Sequence, residues 1–133
     1  MTGQDLGKLL LRITVGALLL LHGLAKLRHG IAPIHGMVTA KGLPSVLAYG
    51  VYIGEVLAPI LVLLGYFTRP AAIVIAINMV VAVALAHSGN VLHLGRSGGS
   101  AVELEALYFA AALAIALFGA GRYSVSRGAS RWD

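Results

Sequence analysis

The chain has 133 residues, of which 59% are hydrophobic and only 11% are charged. A soluble domain carries about 25% charged residues, so this sequence lacks the polar surface of a water-soluble globule and predicts one membrane domain over residues 1–133. The net charge of +5 comes from basic residues at the ends of apolar runs, without the basic stripe of a nucleic-acid-binding protein. There is no cysteine, which excludes thiol–disulfide exchange and thiolate ligation of a metal by the chain itself.

Four apolar runs, each of roughly 17–22 residues, predict four transmembrane helices, because this length crosses a hydrocarbon core of about 30 Å. Helices are favoured over strands because the backbone must satisfy its own hydrogen bonds in lipid, and the runs lack the alternation of a barrel. The predicted spans cover residues 6–27, 46–67, 71–87 and 102–120. The first is expected to remain as a span rather than to be cleaved, because Arg12 interrupts it and no clear small-x-small site follows.

The connection from Arg28 to Ser45 is long and moderately apolar. It is too short and interrupted to span, so it predicts an interfacial helix or a partly re-entrant cap. The expected fold is an all-α membrane protein, a four-transmembrane-helix bundle with this segment between helices 1 and 2. Six Lys and Arg residues share the side of both termini and four lie on the other side, which favours cytoplasmic termini.

Ionisable residues gather towards one end of the apolar runs. They are His22 and Lys26 in the first span, Glu55 in the second, His87 at the end of the third and Glu103 at the start of the fourth. Ionisable groups in a bilayer are costly and are functional-site candidates by default. These five residues therefore predict a polar pocket that opens on one face of the membrane.

His22 and Lys26 differ by roughly 40° around the first helix, and Arg12 lies within about 80° of both, so the three share one face. Snorkelling to the two interfaces would equally explain Arg12 and Lys26, because both side chains have long apolar stems. His22 has no such stem, which favours a place in the pocket.

Glu55 lies four residues before Pro59 in the second span. Because proline has no N–H, the Glu55 carbonyl loses its helical partner and the helix can bend there. The carboxylate and the freed carbonyl would suit a cation, a quinol hydroxyl or the Lys26 ammonium. A structural ion pair from Glu55 to Lys26 or to Arg12 explains the same residues, and it is compatible with a function.

Helical phase removes some polar residues from the predicted pocket. Asn78 lies about 180° from His87, so it is predicted to make an interhelical hydrogen bond instead. Glu103 and Glu105 point roughly 200° apart, so at most one of them faces the pocket, and the helix dipole would explain either. A metal site is less favoured, because no His-x-x-x-His or Glu-x-x-His pair lies within a span.

Several segments along the chain follow one another in a recognisable order. They are Arg12-Ile13-Thr14-Val15-Gly16, His22-Gly23-Leu24-Ala25-Lys26-Leu27, Glu55, Leu63-Leu64-Gly65-Tyr66-Phe67-Thr68-Arg69, His87, Gly98-Gly99, Glu103, Leu107-Tyr108 and Phe118-Gly119-Ala120-Gly121-Arg122-Tyr123-Ser124. Together they resemble the DoxX family of small four-helix bacterial inner-membrane proteins, over almost the whole chain. The chain departs from the family where Ala120 replaces the proline of Gly-Pro-Gly, and where Val125 and Ser126 stand in place of an aspartate.

The resemblance implies an association with respiratory or redox chemistry, because relatives include a membrane subunit of a thiosulfate:quinone oxidoreductase and a partner of thiol and superoxide detoxification enzymes. We therefore expect a quinone-interacting subunit of the inner membrane. In it His22, Glu55 and His87 would hydrogen-bond the quinone oxygens and relay protons. Lys26 or Arg12 would stabilise the anionic intermediate, and Glu103 is counted with them among the binding residues.

Two other classes of function stay open at this point. One is a non-catalytic membrane anchor or assembly factor for a soluble oxidoreductase partner, in which the buried charges are structural. The other is a small transporter or metal-handling protein, ranked last because the chain is short and has no transport repeat. A soluble redox partner and a homo-oligomer are compatible with each of them.

Overall fold

The computed structural model describes residues 2–86, 94–95, 99 and 102–133. These residues form helices and no strand, which confirms the all-α class. The elements are α1 (Gly3–His29), α2 (Ala32–Ala40), the continuous helical stretch α3 (Ser45–Leu64), α4 (Thr68–Ala86) and α5 (Glu103–Phe118).

Three helices, α1, α3 and α4, are long and apolar enough to cross a membrane. Helix α5 has 16 residues, or about 24 Å at 1.5 Å per residue, which is less than the hydrocarbon core of about 30 Å. The membrane class is thus confirmed, and three of the four predicted spans have the required length. The predicted end of the third span, His87, lies outside the described residues.

The long helices pack around a core of small and β-branched side chains. Small residues let the helices approach closely, as is typical of membrane bundles. Helix α5 packs mainly on α4, while α3 contacts both α1 and α4. The fully buried core side chains are Leu19, Val62, Ala72, Ile75, Ala112 and Ile115. The outer faces carry exposed leucines, isoleucines and valines, as expected of a surface in contact with lipid.

Helix α3 changes its winding along its length. It begins as a 3₁₀ helix over Ser45–Tyr49, becomes α-helical over Gly50–Tyr52, forms a π turn over Ile53–Leu57 and is α-helical again over Ala58–Leu64. In the π turn the Ala58 N–H donates to the carbonyl of Ile53, five residues back. The irregularity expected before Pro59 is therefore present, and it takes the form of a π turn around Glu55.

We call the end of the bundle where α1 starts the Arg12 end. Arg12 is buried there, with 1% of its surface exposed. Its guanidinium donates to the carbonyls of Val62 and Leu63, both at 3.0 Å, at the C-terminus of α3. It also donates to the carbonyls of Ala120 at 2.9 Å and Tyr123 at 2.7 Å. Arg12 thus joins the C-terminus of α3, where the Val62 carbonyl also accepts the Gly65 N–H at 3.2 Å, to the segment that follows α5.

Residues 119–133 fold back across the Arg12 end. The Asp133 carboxylate accepts a hydrogen bond from the Phe67 N–H at 2.8 Å, and the Asp133 carbonyl accepts one from the Ala120 N–H at 2.7 Å. Arg69 Nη1 donates to the Ala116 carbonyl at 2.8 Å, at the end of α5. These bonds hold the tail against the α3–α4 connection.

At the opposite end, which we call the Lys26 end, the first connection contains α2. Pro33 lies in the first turn of this helix, where the N–H that proline lacks has no helical partner. Ile31 and Val38 are buried against Ala48, with Val51 and Leu85 packed alongside. The segment expected to be interfacial or re-entrant is thus a short helix that packs across the ends of α3 and α4.

Candidate functional site

Three side chains from three helices meet near the Lys26 end, and we call them the polar triad: Lys26, Glu55 and Asn78. The Lys26 ammonium of α1 forms an ion pair with Glu55 Oε2. Asn78 Nδ2 of α4 donates to Glu55 Oε1 at 3.2 Å. The Glu55 side chain is 7% exposed and the Lys26 side chain 30% exposed. Both carboxylate oxygens of Glu55 therefore have a donor, as a buried carboxylate requires.

Two glycines allow the triad to form. A methyl group at Gly23 of α1 would overlap the Glu55 carbonyl oxygen, so the backbones of α1 and α3 are in direct contact there. A methyl group at Gly54 would lie 2.5 Å from Asn78 Cγ. Because each glycine lets a neighbouring helix approach, the side chains of Lys26 and Asn78 both reach the Glu55 carboxylate.

A large cavity of about 560 Å³ lies on one side of the triad. Its polar wall is the triad itself, and its other walls are apolar side chains from α2, α3 and α4, including Ile34, Val38, Val51, Ile77, Val81 and Leu85. Sites for small organic molecules have volumes of about 300–1,000 Å³, mostly apolar walls and a few converging polar groups. This cavity has all three properties.

A small cavity of about 130 Å³ lies on the other side of the ion pair, between α1, α4 and α5. Lys26 and Glu55 line it too, together with His22, Glu105 and Tyr108. The His22 ring meets the Tyr108 ring edge-on, with 6.2 Å between centroids. The Lys26–Glu55 ion pair thus lies in the walls of both cavities, and polar residues make up a larger share of the walls of the small one.

The structure brings together three of the six predicted site residues: His22, Lys26 and Glu55. The ion pair from Glu55 to Lys26, which the sequence offered beside one to Arg12, is present. Arg12 is about 21 Å from Lys26 along α1, since fourteen residues at 1.5 Å separate them, and it belongs to the Arg12 end. His87 lies outside the described residues.

The structure also decides between the two acids of α5. Glu105 lines the small cavity, whereas Glu103 is exposed and lies in the wall of neither cavity. Of the two acids, the structure thus places Glu105 beside the polar triad and the predicted site residue Glu103 outside both cavities. The angle between the two acids around the helix shows that they point in different directions, but it does not show which one faces the bundle.

Asn78 and Tyr108 are site residues that the sequence reasoning left out. Asn78 makes the predicted interhelical hydrogen bond, and its partner is Glu55. Asn78 therefore belongs to the site, although its angle around the helix relative to His87 had placed it outside the predicted pocket. Its position deep in the membrane span could have indicated this, because an amide among apolar residues needs a hydrogen-bond partner at the same depth in the membrane. Tyr108, whose ring meets that of His22, has no adjacent polar residue in the sequence that would have singled it out.

The triad combines an ion pair with an amide and carries no net charge. A lysine ammonium and an asparagine amide are donors, and a carboxylate is an acceptor. Across the described part of the chain, no three His, Asp or Glu side chains are placed to hold a metal ion. The arrangement suits a ligand with polar oxygens on an otherwise apolar body.

Comparison with known proteins agrees with this architecture. The sequence model of the DoxX family matches residues 7–88, which include the whole triad. A protein of Haemophilus influenzae, described as an uncharacterized protein, is 36% identical over 102 residues, which are 74% of this chain and 75% of that protein. No solved structure matches the chain. Since the family match extends over more than half of the sequence, the chain belongs to the DoxX family.

Proposed function

We propose that the chain is a membrane subunit of a redox system and that it binds quinone in the large cavity. The observation that carries the proposal is the position of the polar triad in the wall of a 560 Å³ apolar cavity. A quinone has a ring with two carbonyl oxygens and an apolar tail, and it accepts two electrons and two protons when it is reduced. Its shape and polarity match this cavity.

The residues present fit such a ligand. Lys26 Nζ and Asn78 Nδ2 are donors suited to a quinone carbonyl oxygen, and Glu55 is an acceptor suited to a quinol hydroxyl. The apolar residues of α2, α3 and α4 would surround the tail and keep water away from the ring. His22, on the far side of the ion pair, is suited to proton exchange near neutral pH.

We further propose that the Lys26 end faces the outside of the bacterial inner membrane and that both termini are cytoplasmic. The charge count supports this orientation. Lys26 is committed to the ion pair and Arg12 is buried among carbonyls, so the outer side keeps three of its four basic residues and the inner side five of its six. A soluble redox partner would then approach from the outer face.

The test is to measure the binding of a short-chain quinone analogue to the purified protein by titration calorimetry. We expect the wild type to bind and Glu55→Gln and Asn78→Leu each to weaken binding about tenfold, as expected for the loss of a hydrogen bond worth about 1.4 kcal/mol. Glu103→Gln is the matched control on an exposed acid and should bind like the wild type. Absence of binding by the wild type would refute the proposal.

One observation favours a second function, that of a non-catalytic anchor for a soluble oxidoreductase. Lys26 and Asn78 already satisfy both oxygens of the Glu55 carboxylate, which is how a purely structural lock between helices is built. The double variant Lys26→Met/Glu55→Gln separates the two functions, because removing both charges of a buried pair is often tolerated. An anchor with this double change would keep its stability and its partner's activity, whereas a quinone site would lose binding.

A further inference from the structure

The small cavity differs from the large one in the chemistry of its walls. Besides the ion pair, the polar residues His22, Glu105 and Tyr108 line a space of only about 130 Å³. At a share of about 30 Å³ each, this space would hold about four water molecules, and a buried water needs two to four polar partners. The five polar side chains meet that requirement.

The polar side chains form a path from the end of the bundle to the ion pair. Glu105 lies in the first turn of α5, at the Lys26 end. Tyr108 is almost one turn deeper and is buried, with 9% of its surface exposed. His22 is exposed on α1 and contacts the Tyr108 ring. Glu55 lies at the inner limit of the path.

We propose that the small cavity is a water-filled route by which protons pass between the aqueous face at the Lys26 end and Glu55. His22, Glu105 and Tyr108 position the water, and the Lys26–Glu55 pair lies between this route and the large apolar cavity. The use of these protons in quinone chemistry rests on the proposed function, whereas the route itself does not.

The proton step is balanced. A hydronium ion or the His22 imidazolium gives up one proton, so that an O–H or N–H bond breaks and an O–H bond forms on the Glu55 carboxylate. The imidazole regains its proton from the solvent, and Lys26 keeps its charge. The charged and titratable groups that face Glu55 here are Lys26 of α1, His22 of α1 and, from α5, Glu105 and Tyr108.

The chain has no cysteine, so a single introduced thiol reports on water at one chosen position. Met79 is 4% exposed and lines the small cavity but not the large one. Its neighbour Val80 is 55% exposed on the outer, lipid-facing surface of α4 and serves as the matched control. The probe is Ag⁺ in chloride-free buffer, which is added to the protein in lipid vesicles without quinone. A maleimide added afterwards labels only the thiols that Ag⁺ has not blocked, so the loss of labelling measures the rate of the Ag⁺ reaction.

We expect Met79→Cys to react with Ag⁺ at least about tenfold faster than Val80→Cys, because the reactive thiolate forms in water and a metal ion does not enter lipid. Adding Glu105→Gln to Met79→Cys should slow the reaction several-fold by removing a negative charge, and adding Glu103→Gln should leave it unchanged. Equal rates for Met79→Cys and Val80→Cys would overturn the proposal.

If Met79→Cys does not fold, Leu104→Cys at the rim of the small cavity takes its place, since Leu104 is already 51% exposed. A fast reaction at that position which depends on Glu105 supports the route, and a slow one overturns it. Because no quinone is present, a protein that fails to bind quinone can still pass this test, and the reverse also holds.

Discussion

Replacing Arg12 with leucine is expected to destabilise the protein by about 4 kcal/mol or more. The estimate takes about 1 kcal/mol for each of the four carbonyl groups that would lose the guanidinium as donor. The carbonyls belong to the C-terminus of α3 and to the tail, and Arg12 itself is 1% exposed, so water cannot readily replace the lost hydrogen bonds. A protein with a stability in the usual range of about 5–15 kcal/mol would lose a large fraction of it.

The measurement is the thermal unfolding midpoint and the fraction of monodisperse protein in detergent. Arg28→Gln is the control, because Arg28 is an exposed arginine on the same helix, and its replacement should change the midpoint little. Arg12→Lys should be nearly as harmful as leucine, since one ammonium has three donors and cannot reproduce the planar fork. A midpoint for Arg12→Leu equal to that of Arg28→Gln would show that the guanidinium does not hold the Arg12 end together.

Gly23→Ala is expected to cost about 2–3 kcal/mol, because overpacking a tight contact usually costs about 1–3 kcal/mol and here the obstacle is backbone. The added methyl group would overlap the Glu55 carbonyl oxygen and lie 2.6 Å from its carbonyl carbon. The helices α1 and α3 would have to move apart, which also draws Lys26 away from Glu55. We therefore expect lower stability together with weaker binding at the quinone site proposed above.

Gly7→Ala is a matched control on the same helix. A methyl group at Gly7 would meet no described atom within 4 Å, and the substitution should leave stability unchanged or raise it by up to about 1 kcal/mol through helix propensity. Thermal unfolding of both variants in one detergent measures the difference. If Gly23→Ala were as stable as Gly7→Ala, the close contact between α1 and α3 would not be needed for the fold.

The sequence predicts the helices well, because a run of apolar residues must form a helix in lipid wherever it lies in the bundle. The ends of the helices differ from the approximate ends of the predicted spans, and glycine explains two of the differences. The second span was expected to reach residue 67, but Gly65 adopts a left-handed conformation with φ +72° and ends α3 at Leu64. Gly119, with φ +79°, likewise ends α5 at Phe118 instead of residue 120.

The candidate site was predicted in part. Lys26 and Glu55 were found because charges in an apolar run need a partner. Arg12 was grouped with them because of its angle around α1. That angle says nothing about position along the helix axis, and fourteen residues separate Arg12 from Lys26, so it lies at the other end of the bundle. Asn78 and Glu105 were misplaced because a single sequence does not give the rotation of one helix against its neighbour. The close approach at Gly23, which sets that rotation for α1 and α3, involves two backbones and has no side-chain pattern.

The π turn of α3 has a consequence for how the family can vary. A π turn contains one residue more than the α-helical turn it replaces, and one residue turns a helix by about 100°. Removing a residue within Ile53–Leu57 would therefore rotate all side chains of α3 on one side of the turn by about 100° relative to those on the other side. The orientation of the half of α3 that lines the large cavity can thus change independently of the half that contacts Arg12. Gaining or losing this residue would therefore change the walls of the large cavity without altering the contacts of Arg12.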